Sequence, residues 1–406
     1  MSTNTDLHWK PVAAAAAAAA AAIYAAYAAL AAQRARDQLS ALPPPAAGVD
    51  ELIGNTPLVR IRSLSRATGR DVYAKLELAN PGGSAKDRVA LGIVRRAEQL
   101  GQLRPGHADV VFEGTSGSTG ISIATICNAL GYRAHISLPD DTSQEKVALL
   151  ESLGAYVNKV RPAGIVDPNQ YVNAARAACD ELNARGCGDA RGDASDGVTV
   201  RGVFADQFEN EANWRVHYDH TGPEIWRQTR GRVDAFVAGC GTGGTIAGVA
   251  RFLKEKRGKR GVRVVLADPQ GSGFYNRVRH GVMYDRTERE GTRRRHQVDT
   301  IVEGVGLNRI TRNFSRGEPY IDDAVRVSDA QAVKMAKFLS VNDGLFVGSS
   351  TAINAVAAVQ VARTLPAGAL VVIIACDSGA RHLSKFWKEA VAVDRDVTLA
   401  EIMGEE

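Results

Sequence analysis

From Asp50 onward the apolar residues come in two textures. Short, nearly continuous runs at 109–112, 134–138, 235–238, 262–266 and 370–375 are the pattern of strands buried on both faces. Between them, 122–130, 144–153, 247–256, 329–339 and 352–362 carry apolar residues at helical spacing. This alternation predicts an α/β fold, mostly parallel sheets with helices on both faces. Two stretches break the pattern: 184–201, rich in Gly, Asp and Ala, and 284–297, dense in charge. Both are expected to be surface insertions.

The N-terminus has a third texture. Residues 12–32 contain no charge and are almost all alanine, and a helix of that length spans about 31 Å. Val12, Ile23, Tyr24, Tyr27 and Leu30 add apolar weight, so the run is long enough to cross a bilayer, with a solvated low-complexity helix as the alternative. Lys10 precedes it and Arg34 and Arg36 follow, which predicts that the body of the protein stays on the cytosolic side. The long polar head is unlike a secretory signal, and the absence of arginine within the run is unlike a mitochondrial presequence. Pro43-Pro44-Pro45 then makes a stiff spacer, so residues 1–49 are expected to form an anchor and linker.

The chain has 406 residues, 45% of them hydrophobic, which suits two domains or one large α/β unit with an inserted lobe. A net charge of +5 is small, and the basic clusters at 254–263 and 286–295 have few aromatic residues to stack on bases. They read as solvated surface, without a nucleic-acid partner. The five cysteines show no Cys-x-x-Cys spacing and the histidines are dispersed. A reducing compartment and the absence of a metal site are expected.

The chemistry gathers in loops. Asn80-Pro81-Gly82-Gly83 is a turn signal, and Ser84 stands three residues before Asp87 at capping-box spacing. Apolar positions Val89, Ile93, Val94, Ala97 and Leu100 continue as a helix to Gly101. Lys86 therefore falls in a first helical turn, where the positive dipole end disfavours a second positive charge and favours a nucleophilic neutral amine. A surface lysine beside a cap is the plain alternative. Glu113-Gly114-Thr115-Ser116-Gly117-Ser118-Thr119-Gly120 joins a strand to a helix and crowds N–H and hydroxyl donors around one point, suited to a carboxylate, or makes only a tight turn. Gly239-Cys240-Gly241-Thr242-Gly243-Gly244-Thr245 repeats that arrangement as a phosphate cradle without the Gly-Lys-Ser/Thr of a Walker loop. Gly239, Gly241 and Gly244 also satisfy Gly-x-Gly-x-x-Gly, and Asp268 lies where a ribose-binding acid would, so a nicotinamide enzyme is a competing reading. Cys376-Asp377-Ser378-Gly379-Ala380-Arg381-His382 follows the last strand run, at the end of the sheet where such folds bind ligands.

In that order, and with Ile53-Gly54-Asn55-Thr56-Pro57-Leu58 before them, these motifs resemble the pyridoxal-phosphate enzymes of the cysteine synthase and cystathionine β-synthase family, from about Ile53 to Trp387. The resemblance implies fold type II: two three-layer α/β lobes with the cofactor between them. It places a smaller mobile lobe at 80–210 and a larger cofactor-binding lobe at 50–79 plus 211–391, with 392–406 as a C-terminal tail. It assigns Lys86 to the internal Schiff base with pyridoxal phosphate and Gly241, Thr242, Gly243, Gly244 and Thr245 to the cofactor phosphate. Thr115, Ser116, Gly117 and Thr119, with Gln207, hold the substrate carboxylate; Gly304 belongs to a glycine-rich active-site loop, and Ser378 partners the pyridine nitrogen. Ser118 stands where the family's asparagine contacts the cofactor ring oxygen, and Ala380 and His382 replace the family's Glu and Tyr.

The implied reaction is β-replacement on O-acetyl-L-serine by sulfide, giving L-cysteine. Lys86 is the general base, and a neutral serine at the ring nitrogen favours prompt loss of the β-leaving group. Cystathionine formation, serine or threonine dehydration and a tethered non-catalytic homologue are the alternatives. The N-terminal run is similar to that of a membrane-anchored fungal branch of the family. That branch implies the mitochondrial outer membrane with the body facing the cytosol; the family implies a homodimer.

Overall fold

The computed structural model of the chain describes residues 9–40, 44–185, 200–258, 261–285 and 300–405. The expected insertion at 184–201 falls almost entirely outside them, as does that at 284–297 beyond Asp285. The chain divides into two units, Met1–Ala47 and Gly48–Glu406.

The first unit is the helix Trp9–Ser40. Alanine is the strongest intrinsic helix former, which is why so uniform a sequence folds as one rod. Its segment Ala14–Gln33 has a mean hydropathy of 1.7 and buries nothing, and it is long and apolar enough to cross a membrane.

Among its described residues the second unit contains ten strands: β1 Leu58–Arg60, β2 Asp71–Leu76, β3 Val110–Gly114, β4 Arg133–Pro139, β5 Tyr156–Val160, β6 Gly202–Phe204, β7 Ala235–Gly239, β8 Arg263–Pro269, β9 Asp323–Val327 and β10 Leu370–Ala375. They form a six-stranded sheet in the order β1-β2-β10-β7-β8-β9 and a four-stranded sheet in the order β5-β4-β3-β6. Every pairing is parallel except β1 with β2. This is the α/β architecture expected from the alternation.

Continuous apolar runs supply both faces of each sheet. In β7, Ala235 and Val237 face a core with the helices Asp329–Asp343 and Ser349–Arg363, while Phe236 and Ala238 face a second core with the helix Gly244–Arg257. β10 does the same: Val371, Ile373 and Ala375 join the first core, Leu370, Val372 and Ile374 the second. In the small sheet Val111 meets Ile93 and Ile123 on one face, and Val110 and Phe112 meet Cys179 and Leu182 on the other. The segment expected to be a tail, 392–406, instead packs: its helix Leu399–Met403 buries Leu399 and Ile402 in the first core.

Candidate active site

The 80–83 turn forms as its residues suggest. Gly83 N–H donates to the Asn80 carbonyl at 2.7 Å, and Gly83 adopts φ +79°, which favours glycine. Lys86 opens the helix Lys86–Gln99. The anticipated capping box is absent. Ser84 Oγ accepts from Lys86 N at 3.2 Å and not from Asp87 N, and the Asp87 carboxyl takes a hydrogen bond from the Ser122 hydroxyl at 2.5 Å while the backbone N–H groups of Gly82 and Ser84 also act on it. Burial raises the Asp87 carboxyl above its ordinary value against the opposing Ser122 bond.

What holds this turn is Arg88. Its Nε reaches Glu77 Oε2 at 2.7 Å and its Nη1 reaches Glu224 Oε1 at 2.7 Å, while Lys75 Nζ sits 2.6 Å from Glu224 Oε2. All four side chains are buried, and two cations meet two anions. The Gly54-Asn55-Thr56 motif closes over them: Gly54 N donates to Asn80 Oδ1, Asn55 N to Glu224 Oε1 and Thr56 Oγ1 to Glu77 Oε1. Burial alone would raise the Glu224 carboxyl, but Arg88 and Lys75 outweigh it and hold it at about 2. Two residues from Lys86, the helix start is thus tied to β2 and to the helix Gly222–Gln228.

The second loop leads from β3 into the helix Ser118–Leu130. Thr119 Oγ1 donates to Gln207 Oε1 at 2.6 Å, and Gln207 donates through both its backbone N and its Nε2 to Glu113, each at 3.2 Å. Glu113 is fully buried, and burial pushes its carboxyl up to about 8 despite the Gln207 bonds. It fixes the orientation of the Gln207 amide, a role its place at the head of the loop motif did not reveal. Ser118 Oγ donates to Asp377 Oδ2 at 3.3 Å.

In the third loop glycine is required by contact. A Cβ at Gly241 would lie 2.2 Å from the Gly304 carbonyl oxygen, and Gly243 holds φ +88°. Gly306 N donates to the Cys240 carbonyl at 2.8 Å, so the 303–306 loop lies directly on this cradle. The helix Gly244–Arg257 follows, and its first-turn N–H groups lack intrahelical acceptors. Thr242 Oγ1 accepts from Asn213 Nδ2 at 2.9 Å, and Thr245 Oγ1 lies 3.1 Å from His217 Nε2. Burial holds that histidine far below its ordinary value, hence neutral. The dinucleotide reading loses its acid: Asp268 is fully buried in β8, accepts from Tyr275 N at 2.7 Å and does not line the cavity.

One cavity of about 600 Å³ joins these loops. Lys86, Thr115, Ser116, Gly117, Ser118, Thr119, Gln207, Gly241, Thr242, Gly243, Thr245 and Gly304 all line it. Gly244 stands behind the cradle, where its Cβ would strike Asn213 Oδ1 at 1.9 Å. Ser378 is not among the residues that line the cavity, although Asp377 before it and Arg381 after it are. Its hydroxyl accepts from Ala380 N at 3.2 Å, capping the turn Gly379–Arg381. Ser350, buried in the first turn of Ser349–Arg363, brings a further hydroxyl to the cavity. The signal was present in Gly348-Ser349-Ser350-Thr351, another small polar run opening a helix. Among the described residues no His, Cys, Asp and Glu cluster could hold a metal ion.

These residues fit pyridoxal phosphate. An amine at a helix start, a cradle whose close approach a Cβ would block, and hydroxyls facing the same space match an aldehyde, a phosphate and a polar ring.

The sequence profile of pyridoxal-phosphate dependent enzymes matches residues 49–377. The chain is 72% identical over 362 residues to a Saccharomyces cerevisiae protein named "Putative mitochondrial cysteine synthase", covering 89% of each. It is 57% identical to "Cysteine synthase 2" of Schizosaccharomyces pombe, covering 84% of each. Among solved structures it resembles O-ureido-L-serine synthase with a TM-score of 0.70 at 30% identity, over 89% of this chain and 100% of that one.

Proposed function

The chain belongs to the family of pyridoxal-phosphate dependent enzymes, and we infer from that premise that it is a cysteine synthase, converting O-acetyl-L-serine and sulfide to L-cysteine and acetate. The observation that carries this reading is the convergence of Lys86, the 115–119 loop and the 241–245 loop on one cavity. Relatives at 72% and 57% identity bearing cysteine synthase names support the substrate class.

Lys86 would hold the cofactor covalently, the 241–245 cradle its phosphate, and Ser118 its ring oxygen. A serine hydroxyl would support the ring nitrogen without charging it: that of Ser378, which accepts from Ala380 N and keeps its O–H to donate, or that of Ser350, which lines the cavity. When bound there, pyridoxal phosphate supplies an electron sink for the bond broken at the substrate's α-carbon. Thr115, Ser116, Gly117 and Thr119 would hold the substrate carboxylate beside the Gln207 amide that Glu113 orients. That grip brings the α-hydrogen to Lys86 Nζ, which takes the proton before the β-substituent is exchanged and returns it afterwards. Gly304, without a side chain, leaves the mouth open to the leaving acetate and the incoming sulfide.

Residues 80–210, which carry the four-stranded sheet, would be the smaller mobile lobe, and 50–79 with 211–391 the larger. The helix Ala14–Gln33, with Lys10 before it and Arg34 and Arg36 after it, supports anchoring in the mitochondrial outer membrane with the body facing the cytosol. The mitochondrial name of the 72%-identical relative supports the organelle. A homodimer follows from family membership alone.

The test is an absorption spectrum of the purified protein before and after O-acetyl-L-serine and then sulfide. A yellow protein whose band shifts with the amino acid and returns with sulfide is expected. A yellow protein indifferent to O-acetyl-L-serine overturns the substrate, and a colourless one that takes up no cofactor overturns the assignment. Lys86→Ala should abolish both the shift and the turnover.

A further inference from the structure

His382 is the centre of a charged chain in which only the terminal Ser118 has a role above. It is buried, with Nε2 3.1 Å from Asp377 Oδ2 and Nδ1 3.0 Å from Glu303 Oε2. Glu303 in turn pairs with Lys146 Nζ at 2.8 Å, on the helix Gln144–Ser152. At the other end Asp377 accepts from Ser118 Oγ, at the start of the helix Ser118–Leu130. Asp377 and His382 follow β10 of the six-stranded sheet, and Glu303 belongs to the loop on the phosphate cradle. Ser118 and Lys146 belong to helices of the four-stranded sheet. The chain therefore crosses from one sheet to the other at two places, and all five residues line the cavity.

The pair at its centre is built in. A Cβ at Gly348 would fall 2.1 Å from Asp377 Oδ1 and 2.7 Å from His382 Nε2, while φ −74° at that residue is open to any side chain. Glycine is needed there for space, so that the imidazole and carboxylate can meet against the backbone.

We propose that His382 is a positioning residue: its ring, shared between Asp377 and Glu303, latches the loops of the large sheet to the Ser118 and Gln144 helices of the small sheet and thereby sets how far the cavity mouth opens. Because both ring nitrogens are engaged, His382 acts through these partners and not on the substrate itself. The latch needs a charged ring between two carboxylates. Burial alone would discharge the ring, but Asp377 and Glu303 outweigh it and hold His382 at about 9. The other charges that act on the group are Lys146 on Glu303, and Arg381 and Lys86 on Asp377. Since the folded value is raised, the latch is complete below the ordinary histidine range and is lost as pH rises through about 9.

Hydrogen exchange on the full-length protein with its cofactor tests this without relying on the substrate assignment. In His382→Asn, amides of Gln144–Ser152 should exchange about tenfold faster near neutral pH, while the core strand β10 keeps its protection. After correction for intrinsic rates, wild type should approach the variant as pH is raised through about 9, and the variant should show no such pH dependence. Glu303→Gln, which keeps the fold's packing, should free the Gln144 helix and move the wild-type midpoint down by removing one of the two carboxylates. Wild-type protection in both variants across the pH range would overturn the proposal, as would acceleration spread equally over both sheets. If His382→Asn does not fold, Glu303→Gln alone decides. A shift in the O-acetyl-L-serine KM with kcat little changed is the matching kinetic result. Absence of turnover with a normal exchange result would count against the substrate and not against the latch.

Discussion

Glu224→Gln should be among the most damaging conservative substitutions in this protein. Glu224 accepts from Arg88 Nη1 and Nη2 at 2.7 and 2.8 Å, from Asn55 N at 3.0 Å, and pairs with Lys75 Nζ at 2.6 Å. The amide keeps the shape but removes one of two negative charges from a cluster that is balanced as it stands. It leaves Lys75 and Arg88 buried with Glu77 as their sole counterion in the cluster. A carboxyl held at about 2 in place of 4.5 corresponds to ~3 kcal/mol of preference for the ionised form. Removing one partner of a buried pair costs about 3–5 kcal/mol by an independent route. The two agree.

Urea unfolding at neutral pH should therefore show Glu224→Gln less stable by about 3 kcal/mol. The pH dependence has a definite sign. A depressed carboxyl contributes fully above its ordinary value of 4.5 and loses its contribution as pH falls through about 2, so the gap between variant and wild type should narrow over that window. Loss of under about 1 kcal/mol, the level of an exposed pair, would refute the argument that burial makes this cluster costly to unbalance. So would a gap that does not narrow in acid.

Gly241→Ala should abolish cofactor retention while leaving the secondary structure intact by circular dichroism, because the new methyl has no room beside the Gly304 carbonyl. Ser378→Ala and Ser350→Ala separate the two hydroxyls: loss of the one that supports the ring nitrogen should alter the visible spectrum of the bound cofactor and lower kcat by about tenfold or more, and loss of the other should keep the wild-type spectrum. Gln207→Ala should raise the O-acetyl-L-serine KM and leave the Glu113 carboxyl without the Nε2 donor, while the backbone N–H at 207 is kept. Carbonate extraction should leave the full-length protein in the membrane pellet; its release would exclude insertion of Ala14–Gln33.

The strands were legible to within a few residues because continuous apolar runs have little else to become. The helices were found but begun late. Ser118, Gly244 and Ser349 open helices whose apolar periodicity becomes visible only near Ser122, Ala247 and Ala352. The missing first turns bring small polar residues to the cavity, Ser118, Thr119, Thr245 and Ser350, so periodicity failed near the cavity. That Lys86, the 115–119 and 241–245 loops and Gln207 belong together was legible from motif order, and all of them contribute to one cavity. Ser378 and Ser350 were indistinguishable as small polar turns beside a strand or helix; the fold adds that the Ser378 hydroxyl accepts within its own turn and that Ser350 lines the cavity. The cluster of Lys75, Glu77, Arg88 and Glu224 left no sequence signal, since its members come from three separated segments and each reads alone as an ordinary surface charge.

The helix starts that line the cavity have a consequence for control. The groups placed to grip anions at 115–119 and 241–245 are peptide N–H groups and hydroxyls, none of which gains or loses a proton over the working range. Retention of the cofactor's phosphate and of a substrate carboxylate is then blind to acidity on the protein's side. Sensitivity falls instead on the arriving amino acid and on the His382 chain. Holding and gating answer to different signals, so a change of compartment pH can retune how readily the enzyme opens without making it shed its coenzyme.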